Sequence, residues 1–142
     1  MKFTRSTSIA LICCVLLVLG LGGCASGGTG PGSTASALCV YVNQAMSAVY
    51  ATQNVLQSHN SEIGTGNYSG AVADLKRIST NFQDFPVPAG GEALRSDVIN
   101  LIVAGGYFAS TVTESSAAVY LTMIDTVTAD IKSTGASHGC GR

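Results

Sequence analysis

From Leu38 onward, apolar residues recur three and four positions apart, the spacing that lines one face of an α-helix. Leu38, Val42, Ala45, Met46, Val49 and Leu56 form the first such stripe, with Asn43, Gln44, Ser47, Asn54 and Ser58 on other faces. This spacing predicts a helix from Ala37 to Ser58 with Ser36 as its N-cap, and Gly64-Thr65-Gly66 closes the loop after it. A second stripe runs through Tyr68, Val72, Leu75, Ile78 and Phe82. It stops at Pro86 and Pro88, because a proline disfavours helical geometry in the residue before it. The third comprises Leu94, Val98, Leu101, Ile102, Gly105 and Phe108, with Glu92 placed to complement the helix dipole. The fourth comprises Val119, Met123, Val127 and Ile131, with Gly135 as its C-terminal stop.

The join between the last two stripes admits more than one reading. Apolar spacing passes almost unbroken through Val112 and Ser116, which would give one long helix. Thr111 to Ser116 is instead a polar run, and Thr111 with Glu114 has the spacing of a capping box. A turn at Gly105-Gly106 is a further option.

Ahead of these stripes, Lys2 and Arg5 precede the apolar run Ile9–Leu21. That order of charge, grease and small residues is a secretory signal, and the run is shorter than the roughly 20 residues needed to span a bilayer. It ends in Leu21-Gly22-Gly23-Cys24. The stretch resembles a bacterial lipoprotein signal, with leucine three before the cysteine and a small residue directly before it. Gly22 departs from the Ala, Ser, Thr or Val commoner at its place. The resemblance covers residues 1–24 and implies that Cys24 carries palmitate-class acyl chains and becomes the first mature residue. Residues 1–23 are then the signal, and 24–37 a lipidated cysteine and Gly/Ser/Thr-rich tether reaching on the order of 20 Å. Residues 38–142 form the helical domain.

On that reading Cys13 and Cys14 leave with the signal and Cys24 bears lipid. Of five cysteines, Cys39 and Cys140 remain, enough for one disulfide in an oxidising compartment. A disulfide needs Cα atoms within about 7 Å. In an up-and-down arrangement the chain ends meet only if the number of helices is even. The expectation is therefore a break near residues 111–116 and an all-α, antiparallel four-helix bundle with its ends joined by Cys39–Cys140.

Charge narrows the possible partners. Charged residues make up 11% of the chain. Without Lys2 and Arg5, five basic face eight acidic side chains, a formal charge of −3. Lys76, Arg77, Arg95, Lys132 and Arg142 are scattered, which argues against nucleic acid, whose phosphates need clustered cations.

Catalytic constellations are thin. His59 reads as a solvated residue after the first helix. His138 and Cys140 form a His-x-Cys pair, but a tetrahedral metal site needs more ligands than remain. Asp74 with Arg77, and Glu92 with Arg95, read as surface pairs three apart. Gly27-Gly28-Thr29-Gly30 and Gly64-Thr65-Gly66 lack the lysine of a phosphate loop. No metal and no cofactor is implied.

Two features bear on binding. Small residues cluster from Ala104 to Ser110, where Gly105, Gly106, Tyr107 and Ala109 are candidate ligand or partner contacts, either by close helix packing or by lining a groove. Tyr41, Tyr50, Tyr107 and Tyr120 supply amphipathic surface of the kind found in contact patches. The sequence thus points to a non-enzymatic lipoprotein on the extracytoplasmic face of the cell membrane. It would serve as a binding or scaffolding module of the envelope, or alternatively as a carrier of apolar ligand or lipid in a bundle cavity.

Overall fold

The apolar stripes fold as helices. The structure, a computed structural model, describes residues 34–140. The signal-like segment 1–23, the lipidation candidate Cys24 and the first part of the tether lie outside the described residues. Among the described residues five helices follow in order: α1 (Thr34–Ser58), α2 (Asn60–Gly64), α3 (Ser69–Gln83), α4 (Glu92–Ser110) and α5 (Glu114–Ser137). There is no strand among the described residues, so the fold is an all-α helical bundle. No helix of the described residues is long and apolar enough to cross a membrane.

Helix α1 is the element around which the others collect, packing against α3, α4 and α5. It carries no charged side chain, and its buried positions Leu38, Tyr41, Val42, Ala45, Ala48, Val49, Thr52 and Leu56 form a broad stripe. A stripe that wide serves a helix with several neighbours rather than one. It begins at Thr34, so Ser36 sits in its first turn instead of preceding it as the N-cap.

The third predicted stripe is buried at every position, Leu94, Val98, Leu101, Ile102, Gly105 and Phe108. The second turns by one residue. Ala71 is fully buried in α3, whereas Tyr68 and Val72 are exposed. The fourth departs most. Val127 and Ile131 are buried as expected, but Val119 is 66% exposed and Met123 only partly buried, and α5 adds Ala117, Tyr120, Ile124 and Gly135 to its core face. The reason is geometric: stepping by fours overshoots a helical turn by about 40° each time, so a line that meets the core at Val127 and Ile131 lies off it at Met123 and further off at Val119.

The break between α4 and α5 falls at residues 111–113. The capping box is there, two residues later than Thr111 and Glu114. Thr113 is the N-cap, its hydroxyl accepting from the Ser116 amide while the Ser116 hydroxyl accepts from the Thr113 amide. Gly105-Gly106 lies inside α4, which continues unbroken through it.

Helix α5 ends beyond Gly135, which is buried against Val42. The stop is Gly139, at φ +72°, a left-handed conformation that only glycine adopts cheaply. The Cys140 amide bonds back to the Gly135 carbonyl and the Gly139 amide to Ala136. These two bonds make a Schellman motif, and it delivers Cys140 to Cys39. The disulfide forms with the two Cα atoms 5.2 Å apart and a sequence separation of 101. Replacing both cysteines with serine is expected to lower the free energy of unfolding by about 4–5 kcal/mol. Urea denaturation of the oxidised protein against the Cys39→Ser/Cys140→Ser variant measures this, and a loss below about 1 kcal/mol would show that the cross-link constrains little.

Candidate functional site

The small residues of α4 divide between two faces. Gly105 and Ala109 point inward, Ala109 at 2% exposure. A Cβ placed on Gly105 would lie 2.8 Å from the Tyr120 hydroxyl of α5 and 3.5 Å from Thr52 of α1. The missing side chain is therefore the space that admits the tip of a tyrosine. Phe108, one turn along, stacks on the same ring with centroids 5.2 Å apart and planes within 4°. The Tyr120 hydroxyl is buried with no hydrogen-bond partner, and desolvation pushes its pKa up. Tyr41 is the other such case. Its ring tilts against Phe82 at 5.4 Å, its hydroxyl has no partner, and burial raises its pKa against the opposing pull of Arg95.

Two clefts near these contacts are small. An apolar cleft bounded by Gln53, Leu56, Phe108, Ala117, Tyr120, Leu121 and Ile124 holds about 10 Å³, enough for at most one water. A second cleft, of about 50 Å³, lies where α2 and its following turn meet the end of α4. Ile63, Gly64, Gly66, Tyr68, Ala109, Ser110 and Val112 line it. Both are far below the ~300 Å³ at which small-molecule pockets begin.

Gly106 and Tyr107 face the other way. A Cβ on Gly106 would meet nothing within 4 Å, and Tyr107 is 71% exposed. Val103, one turn before Tyr107, is 63% exposed. No charged residue occurs between Val98 and Ser110, so this outer face of α4 is uncharged and partly apolar.

A cluster of charged side chains that the sequence does not announce surrounds His59. His59 stands between α1 and α2, its Nδ1 2.8 Å from Glu62 Oε2 and its Nε2 3.1 Å from Asp74 Oδ2 of α3. Arg77 donates to the other Asp74 oxygen at 3.0 Å, which is the expected surface pair. His59 is thus no free solvated residue: its side chain is only 21% exposed. The hydrogen bond to Glu62, followed by that to Asp74, raises its pKa above 6.5. The His59–Glu62 spacing of three is a readable signal once a short helix is suspected there. The approach of Asp74 across fifteen positions is a tertiary fact with no local trace.

Other expected contacts sort as follows. Glu92 and Arg95 do not pair: Glu92 accepts from the Gly90 amide and Arg95 donates to the Gln83 carbonyl, each serving an end of the α3–α4 connection. His138 lies against the Thr134 carbonyl at 2.9 Å, and Cys140 is committed to its disulfide. Among the described residues, no group of three His, Cys, Asp or Glu is arranged to hold a metal ion. Compared with protein-family models, with curated proteins and with solved structures, the chain matches none.

The Gly105–Tyr120 contact can be measured directly. Gly105→Ala is expected to destabilise by about 1–3 kcal/mol through overpacking. Tyr120→Phe removes a buried hydroxyl that has no partner, and is expected to be neutral or slightly stabilising. In that background Gly105→Ala should cost less, a coupling read from a double-mutant cycle of denaturant melts. Additive losses would place the strain elsewhere.

Proposed function

We propose that the protein is a lipid-anchored, non-catalytic binding or scaffolding module of the bacterial cell envelope, held on the extracytoplasmic face of the membrane through Cys24. The observation that carries this reading is the Cys39–Cys140 cross-link behind a lipoprotein-like Leu21-Gly22-Gly23-Cys24. Disulfides persist in oxidising compartments and are rare in the cytosol. Stable anchoring needs more than one acyl chain, which a diacylglyceryl-modified cysteine supplies.

An up-and-down antiparallel topology for the four long helices belongs to the same proposal. It is supported by the short connections between α3, α4 and α5 and by packing of α1 against both α3 and α5. The meeting of positions 39 and 140 agrees with an even number of long helices.

Packing favours a module that works by its surface over a carrier of apolar ligand or lipid. A carrier needs a chamber, and the candidate position Gly105 is filled by Tyr120. Gly106 and Tyr107, with Val103, instead form an outward patch, and exposed tyrosine is enriched where proteins meet.

Cys24→Ser is expected to abolish incorporation of labelled palmitate and to leave the chain with its signal attached. Labelling that persists in the variant would remove the anchor. A photo-crosslinker at position 107 is expected to capture an envelope protein that one at Asn43 does not. Equal capture at both positions would remove the patch from the reading.

A further inference from the structure

The His59 cluster ties the short helix α2 to α3. Helix α2 has five residues, far too few to be stable by themselves. Its one buried side chain is Ile63. Its C-terminus closes on Gly66 at φ +86°, with the Gly66 amide bonded to Ile63 and the Asn67 amide to Glu62. Beyond these local bonds, the side-chain links from this corner to α3 are His59 to Asp74 and, at the very start of α3, the Ser69 hydroxyl donating to Asn67 Oδ1. The fit there is close: a Cβ on Gly70 would lie 2.8 Å from His59 Cε1, so the second residue of α3 is a glycine where the imidazole lies over it.

Both ring nitrogens face carboxylate oxygens. An ionised carboxylate only accepts, and a neutral imidazole has a single N–H. Both contacts are hydrogen bonds only when the ring is the imidazolium; once neutral, one nitrogen turns a lone pair toward an anion. The charged groups around the ring are Glu62 from α2, and Asp74 with Arg77 behind it from α3. Helix α1 contributes none.

We propose that His59 is a proton-operated latch. Protonated, it staples α2 and the turn after it to α3; neutral, it keeps its one N–H on the nearer Glu62 at 2.8 Å, gives up the 3.1 Å bond to Asp74 and frees that corner. Ile63, Gly64, Gly66 and Tyr68 in this corner form one wall of the 50 Å³ cleft, whose other wall is the end of α4. Proton loss therefore loosens the cleft wall while α4 and α5 stay packed. The latch does not depend on the export reading, although outside the cytoplasm it would meet pH changes directly.

The sign follows from the bonds. A histidine whose folded pKa is raised adds stability that is fully present below 6.5 and is lost as pH rises through the folded value. The test uses the purified full chain in detergent, with the His59 imidazole followed by NMR and amide exchange followed by mass spectrometry across the same pH series. His59 is expected to titrate above 6.5. Protection of residues 59–70, normalised to α5 in the same sample, should fall roughly three- to fivefold through that titration, the scale of one part-exposed ion pair. Asp74→Asn should lower the His59 midpoint and leave the segment open at every pH. Glu62→Gln keeps the tie to α3 and should lower the midpoint with the segment still closed in acid. A His59 midpoint at or below 6.5, protection that moves in step with α5, or a pH response intact in Asp74→Asn would each overturn the latch.

Discussion

One covalent constraint underlies the economy of this fold. The Cys39–Cys140 bond closes a loop of 101 residues in a chain without tryptophan and with few charged residues. A domain near 100 residues has only one modest core to draw on, and its net stability is a small difference between large terms. Restricting the unfolded chain by several kcal/mol lets the core be built from Ala, Val, Leu, Ile, two phenylalanines and two buried tyrosines. It also accommodates two phenol hydroxyls that find no partner. The Schellman turn at Gly139 is what aims Cys140 at its mate, so the backbone geometry of one glycine underwrites the cross-link.

The buried tyrosines show how this core reaches its density. Tyr120 extends from α5 across Phe108 and ends where Gly105 has no side chain, so α4 gives up a side chain in order to receive one. Such reciprocal packing leaves little room for a guest. It also sends the binding question to the outside of α4, where Val103 and Tyr107 stand in water beside a glycine.

Helical class, the disulfide and the core face of α4 were legible in the sequence because each depends on local spacing or on counting. In α4 the apolar positions alternate threes and fours without ambiguity, so Leu94 through Phe108 identify the buried face. In α5 two interleaved lines compete, Val119–Met123 and Tyr120–Ile124, and hydrophobicity alone favours the wrong one. Only the neighbouring Gly105 explains why Tyr120 is the residue that turns inward. The Thr113 cap was displaced from Thr111 because threonine and serine are frequent throughout that run, and any pair three apart looks suitable. The candidate contacts 105, 106, 107 and 109 were recognisable as a small-residue cluster, but which of them face outward depends on the rotation of the helix. His59 shows the limit most plainly, since one of its two anchors lies on another helix.

The position of the cross-link has a mechanical consequence. A load applied between the segment preceding Thr34 and the end of the chain passes through the first turns of α1 and then across the sulfur–sulfur bond. The residues between Cys39 and Cys140 stay outside the path of tension. Pulling along that axis would stretch only the entering and leaving segments, while the helices behind the bond keep their packing.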